Sequence, residues 1–507
     1  MLATLDQVLP YAAERYATKT ALTIGERGFS FIELNELSDR VAAGLAAQGI
    51  VEGDIVTLYS ENRWEWIVSY YAVLKLGAVI NPINVMLTPS EVEFVVTDCE
   101  AKALIASGPK GTPMLGMRES SDLKVIVLFD DDAVVDGVIS FHDLADGPNG
   151  AFASPAIGPT DLSTICYTSG TTGHPKGAMQ SHEAVLLSSA MTAQMHVRTE
   201  ADTMVSALPC PHVYGNVIMN TTMMYGMHLV LHETFVVEDV LDSIERYRAT
   251  TFDGVPTMYM YMLAHPDMDK TDLSTLTKCF VGGQTMPVAK MEEVEARFGC
   301  DFIELWGMTE LAGLATTHPL YGPNKHGSIG MAVPYAELRI GDVDDATITM
   351  PNGEVGELMV RGPLVMLGYY GNETATNETI EADGWMHTGD LASMDADGCA
   401  FIVDRKKDMI LTGGYNVYPA ELERVIAAHP DVALVAVGPV VDENKGELAK
   451  AYIVLKDGVD GDVDSILAHC RDGLAAYKRP RQVQFVDALP TTSTGKVMRR
   501  ELHTLDD

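Results

Sequence analysis

A loop of small and hydroxyl-bearing residues follows a short apolar run, LSTIC, at residues 162–166. Eight of the thirteen residues in the loop sequence YTSGTTGHPKGAM, at 167–179, are Gly, Ser, Thr or Pro, and Lys176 carries its one fixed charge. Backbone N–H groups and hydroxyls in such a loop can donate hydrogen bonds to phosphate oxygens, and the lysine adds a point charge. The P-loop spacing G-x-x-x-x-G-K-[ST] does not fit, because Pro175 stands where the second glycine would be. Two interpretations stay open at this point, a phosphate site of another kind and an ordinary surface loop.

Four further segments carry polar residues in a recognisable order. They are WGMTE at 306–310, HTGD at 387–390, DRKKDMILTGGYNVYPAELE at 404–423 and PTTSTGKVMRREL at 490–502. Together with the loop, they resemble the signature motifs of the adenylate-forming enzymes, a family that includes acyl-CoA synthetases, coumarate ligases, luciferases and peptide-synthetase adenylation domains. The resemblance runs from SFIELNELSDRVAAGL, at 30–45, to the last lysine motif. Five motifs in the right order are far more specific than any one of them.

The resemblance implies a reaction in two steps. A carboxylate attacks the α-phosphate of ATP to give an acyl-adenylate and pyrophosphate, and a thiol then displaces AMP. The first step brings an anion to a polyanion, so the enzyme must offset their repulsion and align the attack. The resemblance therefore implies ATP and coenzyme A as substrates and Mg²⁺ as the cofactor.

By the same resemblance, particular residues are expected to bind the phosphates. The residues expected to bind the β- and γ-phosphates are Thr168, Ser169, Gly170, Thr171, Thr172, Gly173 and Lys176. Thr309 is expected to contact the α-phosphate, and Glu310 to hold Mg²⁺, a hard cation that prefers oxygen ligands. Lys496 is expected to be the catalytic cation that bridges the attacking carboxylate and the α-phosphate.

The nucleoside part of ATP is expected to contact two further motifs and the segment GGQTMP, at 282–287. Trp306 stands where the family more often has tyrosine, and its ring offers a face for stacking on adenine. Gly307, Gly283 and Gln284 are expected beside it, where glycine lets the backbone approach a flat ligand closely. Asp390 is expected to accept hydrogen bonds from the ribose hydroxyls, with Arg405 assisting.

The second step implies a path for coenzyme A. Lys407 is expected at the pivot between two domains, and the path is expected along Gly413, Gly414 and Tyr415. Because the resemblance places Lys496 in a small domain and the phosphate loop in a large one, it implies that the two domains close on each other for adenylation and rearrange for thiol attack.

The acyl pocket is the part on which the sequence says least. By family analogy it comprises His212, Tyr214, Met219, Gly254, Met258 and Gly282, with His212 as a gate beside the thiol entrance. Fifteen of the 27 methionines lie between residues 179 and 308, and methionine is flexible enough to line an adaptable apolar pocket. This enrichment favours a medium- to long-chain fatty acid. A hydroxycinnamate or other aryl acid is the close alternative, since Tyr214 could hydrogen-bond a ring hydroxyl, and loading of a carrier protein in trans stays open.

The elements that must position these residues follow an α/β pattern. Strand-like runs such as DIVTLYS (54–60), AKALIAS (101–107) and LKVIVLF (123–129) alternate with helix-like runs such as FIELNELSDRVAAGLAAQG (31–49). This alternation predicts mixed or parallel sheets covered by helices. With the resemblance, it predicts a large N-terminal domain at 1–404 that binds ATP and the acyl group, and a small mobile α+β domain at 405–507.

The charge balance changes at the same point. Residues 405–507 hold 14 basic and 16 acidic residues, whereas the whole chain has a net charge of −36. Such acidity disfavours a nucleic-acid partner and fits a soluble acidic protein or adaptation to high salt. No run of 18 apolar residues and no signal-peptide pattern is found, and the seven cysteines lack metal-site spacing. We therefore expect a cytoplasmic enzyme without membrane insertion, and the sequence leaves open whether it forms a homodimer.

Overall fold

The computed structural model describes residues 2–131, 135–168, 175–412, 415–442, 446–456, 458–490 and 497–506. The chain packs into two compact units. The first comprises Met1–Glu337 and Val360–Met386, and the second comprises Leu338–Met359 and His387–Asp507. Compact packing does not locate a hinge, so the domain boundary predicted between residues 404 and 405 stays a prediction.

Eight strands form one sheet of the first unit. In spatial order they are β19 (Gly368–Tyr369), β9 (Lys176–Ser181), β8 (Leu162–Thr168), β4 (Val79–Pro82), β3 (Ile55–Tyr59), β5 (Ala103–Ala106), β6 (Val125–Leu128) and β7 (Ile139–Ser140). The sheet is parallel from β8 to β7, and β9 and β19 are antiparallel at one edge. The runs IVTLY, ALIA and VIVL are buried throughout, which explains their lack of polar alternation.

Nine strands form the other large sheet. In spatial order they are β16 (Met331–Ala332), β15 (Gly313–Thr317), β14 (Asp301–Met308), β13 (Lys278–Val281), β12 (Thr251–Gly254), β10 (Thr203–Ser206), β11 (His228–Leu231), β1 (Thr20–Ile24) and β2 (Arg27–Ser30). The strands from β14 to β1 are parallel. Their carboxyl ends therefore meet at one edge, where α/β sheets commonly bind ligands.

Helices cover both sheets. Those of the first unit are α1 (Val8–Tyr16), α2 (Phe31–Ala47), α3 (Trp64–Lys75), α4 (Pro89–Asp98), α5 (Gly108–Gly111), α6 (Phe141–Ala145), α7 (His182–Met195), α8 (Val213–Tyr225), α9 (Val237–Arg246), α10 (Pro256–Ala264), α11 (Val288–Phe298) and α12 (Glu373–Thr379). Helix α2 begins with a capping box, in which the Ser30 hydroxyl accepts from the Glu33 N–H and the Glu33 carboxylate accepts from the Ser30 N–H. Helices α3 and α8 are joined by a buried hydrogen bond from the Tyr71 hydroxyl to Asn220 Oδ1, at 2.9 Å.

Two smaller sheets follow. The first, most of whose residues belong to the second unit, has the order β17 (Glu337–Gly341), β18 (Gly356–Arg361), β20 (Met386–Met394) and β21 (Ala400–Arg405). The second has the order β23 (Tyr415–Val417), β22 (Ile410–Thr412), β25 (Gly446–Leu455) and β24 (Val432–Asp442), with β26 (Gln482–Phe485) also pairing with β25. Helices α13 (Pro419–Ala427) and α14 (Val463–Gly473) contribute Leu422, Ile426 and Ile466 to the apolar core on this sheet. The predicted alternation of strands and helices, and the α+β character of the tail, are confirmed.

Candidate active site

The described ends of the phosphate loop lie opposite each other on two antiparallel strands. Thr168 ends β8 and pairs with Lys176, the first residue of β9. The Thr168 hydroxyl donates a long hydrogen bond of 3.5 Å to the Lys176 carbonyl. The loop residues expected to wrap the phosphates lie outside the described residues: Ser169, Gly170, Thr171, Thr172 and Gly173. Their role therefore stays a prediction.

The turn that carries Thr309 and Glu310 is fixed against β9. Gln180, on β9, donates from Nε2 to the Thr309 carbonyl at 2.8 Å, and the Met366 N–H donates to the Glu310 carbonyl at 2.8 Å. The Glu310 side chain accepts a 3.0 Å hydrogen bond at Oε1 from the Tyr369 hydroxyl. The Lys176 ammonium lies 5.1 Å from the centroid of the same tyrosine ring. The structure thus brings the lysine of the phosphate loop close to the Thr-Glu pair of a motif 130 residues later in the chain.

The buried carboxylate of Glu310 is suited to Mg²⁺, which proteins commonly hold through one or two carboxylates together with substrate phosphates. Glu310 is 8% exposed. Among the described residues, no group of three or more His, Cys, Asp or Glu side chains could hold a metal ion alone. The residues present therefore fit an ion shared between one protein carboxylate and a phosphate ligand, and they do not resemble a site built from protein ligands only.

Trp306 and Gly307 lie where β14 turns into its hairpin with β15. Trp306 is half-buried and pairs with Thr316, and the register shifts immediately after it. A Cβ atom at Gly307 would lie 1.7 Å from the Gly313 carbonyl oxygen, so this close approach of the two strands requires glycine. Gly307 therefore permits the close pairing of β14 with β15 that positions Trp306.

Three of the predicted glycines lie at, or just after, the carboxyl ends of the parallel strands β12 and β13. Gly254 ends β12 and pairs with Val281, which ends β13. A Cβ atom at Gly282 would lie 2.3 Å from Leu305 Cδ1, and Gly283 has φ +87°, in the left-handed region. Both positions therefore favour glycine, one through packing and the other through backbone conformation. Gln284 follows them and is half-buried.

His212 caps helix α8. Its Nδ1 accepts the Tyr214 N–H at 3.2 Å, which leaves the proton of the neutral ring on Nε2. The side chain is exposed, yet the protein around it displaces enough water for desolvation to lower the pKa of His212. A neutral imidazole with its proton on Nε2 is consistent with the predicted gate, and that role stays a prediction.

The remaining acyl residues differ in depth. Met219 is fully buried within α8, whereas Met258 is 9% exposed and its sulfur lies 3.5 Å from where a Cβ atom of Gly254 would be. The Tyr214 hydroxyl donates to Asp253 Oδ2 at 3.3 Å in the interior. A ring hydroxyl on a substrate would have to compete with this bond, which weakens the argument that the sequence offered for an aryl acid.

Behind Tyr214 lies a charged network that the sequence did not reveal. Arg198 and Asp253 form an ion pair of 2.7 Å, and both side chains are inaccessible to solvent. His196 stacks on Phe280 at 3.8 Å, and burial together with the charge of Arg198 lowers the pKa of this histidine. The pairing joins residues 55 positions apart, so no local pattern could have indicated it.

Glu304 is another residue that sequence reasoning missed. It lies two positions before Trp306 on β14, is 3% exposed, and burial raises its pKa to about 8. An acidic residue inside the apolar run FIELW is the signal that could have found it. At neutral pH its carboxyl group is mostly protonated.

In the second unit, Asp390 and Arg405 face each other across β20 and β21. Arg405 Nε lies 3.2 Å from Asp390 Oδ1, and Asp390 is buried while Arg405 is exposed. Below the HTGD turn, Glu357 accepts from the Gly389 N–H at 3.2 Å and pairs with Lys406 and His387. Burial acts to raise the pKa of Glu357, but the hydrogen bonds from His387 and Lys406 outweigh it and lower the pKa. Glu357 was not singled out from the sequence because it precedes the motif by a whole strand.

The residues expected along the coenzyme A path are only partly described. Lys407 is exposed in a short 3-10 turn, Lys406–Asp408, and Tyr415 is exposed with its ring 4.8 Å from the Tyr477 ring. Gly413, Gly414 and Lys496 lie outside the described residues. Their predicted roles therefore stay predictions.

A single arginine holds the DRKKD segment against helix α13. Arg499 binds Glu423 with two hydrogen bonds of 2.6 and 3.0 Å, and its Nη1 lies 3.0 Å from Asp408 Oδ2 and 3.5 Å from Asp404 Oδ1. Asp404 also accepts the Ala420 N–H at the start of α13. The sequence placed Arg499 in the last motif but gave it no role.

In the part of the chain that the structure describes, no helix combines the length and the apolar character needed to cross a membrane.

Comparisons with known proteins agree with the predicted fold and chemistry. The family model described as AMP-binding enzyme matches residues 9–370, and the model of its C-terminal domain matches residues 421–496. A long-chain-fatty-acid–CoA ligase of Bacillus subtilis is 31% identical, covering 98% of this chain and 94% of its own length. A feruloyl-CoA synthase of Amycolatopsis is 34% identical, covering 95% of both chains. Among solved structures, ATP-bound MatB from Rhodopseudomonas palustris superimposes with a TM-score of 0.92 at 31% identity, covering 99% of this chain and 98% of that one.

Proposed function

We propose that this chain, which belongs to the AMP-binding enzyme family and is an acyl-CoA ligase using ATP, Mg²⁺ and coenzyme A, activates a medium- to long-chain fatty acid. The acid would first form an acyl-adenylate with release of pyrophosphate, and coenzyme A would then take the acyl group with release of AMP. The predicted adenylate-forming fold is confirmed by these comparisons. The particular acid and the role of each residue are our proposals.

For the first step, Lys176 and the loop before it would bind the β- and γ-phosphates. Thr309 would contact the α-phosphate, and Glu310 would hold Mg²⁺, which supplies positive charge against the phosphate oxygens when bound. Lys496 would bridge the incoming carboxylate and the α-phosphate. The proximity of Lys176 to the Tyr369–Glu310 hydrogen bond supports this assignment, because it joins a phosphate-binding cation to an oxygen ligand for the metal.

The same step needs the nucleoside in a fixed position. Trp306 would stack on adenine, with Gly283 and Gln284 on the adjacent strand ends, and Asp390 would bind the ribose hydroxyls. Arg405 would keep the Asp390 carboxylate oriented through the contact at 3.2 Å. A carboxylate accepts hydrogen bonds at both of its oxygens, and one that contacts an arginine keeps acceptor capacity for a diol.

For the second step, coenzyme A would approach along Lys407, Gly413, Gly414 and Tyr415, and His212 would gate the meeting point of thiol and acyl group. A glycine pair suits a narrow path because any side chain would obstruct it. The neutral imidazole of His212 would not repel or attract the thiol by charge, so its effect would be steric and through its Nε2–H donor.

The observation that carries the choice of acid is the chemistry of the acyl residues. Met219, Met258, Gly254 and Gly282 have no side-chain donor or acceptor that could bind a polar tail, and the Tyr214 hydroxyl already donates to buried Asp253. An unsubstituted alkyl chain has no polar group that would be left without a hydrogen-bond partner against such a wall. The similarity to a long-chain-fatty-acid–CoA ligase agrees with this proposal.

A hydroxycinnamate or related aryl acid is the second candidate. The observation in its favour is the feruloyl-CoA synthase, which is 34% identical against 31% for the fatty-acid ligase. In this alternative, the Tyr214 hydroxyl would turn from Asp253 toward the phenol of the substrate. Loading of a carrier protein in place of coenzyme A is a third outcome that the same experiment separates.

The test is pyrophosphate release with hexanoate, decanoate, palmitate, cinnamate, coumarate and ferulate, each with and without coenzyme A. We expect the highest kcat/KM with decanoate or palmitate, and a CoA-dependent loss of free thiol. The matched variant is Tyr214→Phe, which should leave fatty-acid kinetics unchanged. If coumarate is preferred over cinnamate and Tyr214→Phe abolishes that preference, the aryl acid is the substrate and the fatty-acid proposal is wrong. Adenylate formation without any thioester would instead favour a carrier protein.

A further inference from the structure

Tyr369 lies in the segment LGYYGN, at 367–372, which none of the five motifs includes. It ends the two-residue strand β19 and pairs with Ala178 of β9. Hydrogen bonds of 2.8 Å fix the strand on both sides, from the Leu367 N–H to Met179 and from the Tyr370 N–H to Gly177. The backbone of Tyr369 is therefore fixed to the strand that begins with Lys176.

This register explains why the tyrosine ring reaches the lysine. Lys176 and Ala178 are two positions apart on β9, so their side chains lie on the same face. Tyr369 faces Ala178, and Lys176 is its diagonal neighbour, within reach of an aromatic side chain. The N–H of Tyr369 also donates to the Thr376 hydroxyl at 2.9 Å, which ties the strand to helix α12.

Tyr369 contacts two oppositely charged groups at once. Its hydroxyl donates to Glu310 Oε1 at 3.0 Å, and its ring centroid lies 5.1 Å from the Lys176 Nζ. A ring face attracts an ammonium within about 6 Å. The residue is 9% exposed, so both contacts are made largely away from water.

The hydroxyl can act only as a donor to Glu310 at neutral pH. A phenol with the ordinary pKa of about 10 keeps its proton at neutral pH. A protonated phenol that donates to one carboxylate oxygen restricts the rotation of that carboxylate. The carboxylate thereby keeps its orientation toward a metal ion.

We propose that Tyr369 is a positioning residue that orients the Glu310 carboxylate for Mg²⁺ and the Lys176 ammonium for the phosphates of ATP. This inference rests on the proposed function, which gives Glu310 and Lys176 those ligands. One side chain thereby positions both the carboxylate that would bind Mg²⁺ and the ammonium that would bind the phosphates of ATP. Its hydroxyl orients Glu310, the proposed metal ligand, and its ring orients Lys176, the proposed phosphate ligand.

Separate variants test the two halves. Tyr369→Phe removes the hydroxyl and keeps the ring, whereas Tyr369→Leu removes both. The matched control is Tyr370→Phe, which removes the hydroxyl of the adjacent, half-buried tyrosine. ATP–pyrophosphate exchange is measured against free Mg²⁺ and against ATP, and the thermal midpoint of each variant is recorded.

We expect Tyr369→Phe to raise the half-saturating Mg²⁺ concentration roughly 3- to 10-fold, the loss typical of a single net hydrogen bond. The KM for ATP at saturating Mg²⁺ should stay close to the wild-type value. Tyr369→Leu should raise both quantities, the KM for ATP by roughly 2- to 5-fold. Tyr370→Phe should change neither.

A lower exchange rate in Tyr369→Phe with unchanged half-saturating Mg²⁺ would overturn the proposal and leave only a structural role. If Tyr369→Leu does not fold, the phenylalanine variant alone decides. Glu310→Gln separates this inference from the proposed function. If Glu310→Gln raises the half-saturating Mg²⁺ and Tyr369→Phe does not, only the Tyr369 inference fails. If Glu310→Gln leaves it unchanged, the magnesium role of Glu310 fails, and the inference fails with it.

Discussion

The two units hold their candidate active-site residues by different kinds of interaction. In the first unit, backbone hydrogen bonds fix the segments that carry Lys176 and Glu310, such as those from the Tyr370 N–H to Gly177 and from the Met366 N–H to Glu310. In the second unit, side-chain ion pairs hold the DRKKD segment. Arg499 contacts Glu423, Asp408 and Asp404, and Lys406 pairs with Glu357.

This difference has physical consequences. Backbone pairing is short-ranged and little affected by salt, whereas partly exposed ion pairs are screened and leave an uncompensated charge when one partner is lost. Strand pairing suits a phosphate site that must keep the same geometry each time it binds MgATP. A small unit organised by charges is expected to respond more strongly to mutation, pH and ionic strength.

The largest effect is expected for Arg499→Met. It would leave Glu423, Asp408 and buried Asp404 without their shared cation, and burial already raises the pKa of Asp404. Losing one partner of such a cluster should cost about 3–4 kcal/mol. All four tryptophans are in the first unit, so urea unfolding by far-UV circular dichroism should show an early transition that tryptophan fluorescence does not.

The control is Arg424→Met, which removes an exposed arginine of the same unit. If Arg499→Met shifts the fluorescence and dichroism transitions equally, the units do not differ in the way proposed.

The next effect concerns pH and the first unit. Burial raises the pKa of Glu304 to about 8, so the folded state keeps a proton that the unfolded state loses near pH 4.5. Wild-type stability should therefore be greatest below pH 4.5 for this group and should fall as the pH rises toward 8. Glu304→Gln removes this dependence and should be more stable by about 2–3 kcal/mol at pH 7 but not at pH 4.5.

Denaturant titrations at both pH values measure the difference, with Glu292→Gln, an exposed carboxylate on α11, as the control. An equal stability change at pH 4.5 and pH 7 would mean that the buried group does not titrate as described.

A smaller effect is expected on acid preference. Met258 is slightly exposed beside Gly254, whereas Met219 is fully buried, so Met258→Trp should narrow the pocket with less disruption of the core. Palmitate should lose roughly tenfold in kcat/KM relative to hexanoate. Met260→Trp, on the same helix but 36% exposed, should leave the ratio unchanged. An unaltered ratio in Met258→Trp would place the acyl pocket elsewhere.

The smallest effect is expected from salt. The net charge of −36 lies almost wholly in residues 1–404, which include the whole first unit, so molar KCl should relieve repulsion there. The thermal midpoint by tryptophan fluorescence should rise by a few degrees. The second unit should gain less because salt also weakens its ion pairs. A flat or falling fluorescence midpoint would argue against adaptation to high salt.

The sequence predicted those parts of the molecule that local patterns encode. The runs DIVTLYS and AKALIAS became β3 and β5, and the run beginning at Phe31 became helix α2, with Ser30 and Glu33 as its capping box. The motif order predicted the family. The roles of the individual site residues stay predictions, because Lys496 and the two path glycines lie outside the described residues.

Other features could not be predicted because they depend on pairing between distant segments. Tyr369 reaches Lys176 only because β19 adds to the edge of the sheet beside β9, which lies nearly two hundred residues earlier. The burial of Arg198 with Asp253, and the contact of Arg499 with Asp404, depend in the same way on tertiary packing. Residue type alone would have assigned these charged side chains to the surface.

The most direct test of the central claim measures the two half-reactions separately in two variants. We predict that Lys496→Ala lowers ATP–pyrophosphate exchange by on the order of 10²–10³, yet converts preformed acyl-adenylate and coenzyme A to thioester at a near-normal rate. Gly414→Leu should do the reverse, with acyl-adenylate accumulating and little free thiol lost. Equal loss of both half-reactions in Lys496→Ala, or loss of exchange alone in Gly414→Leu, would contradict the division of labour proposed for these two residues.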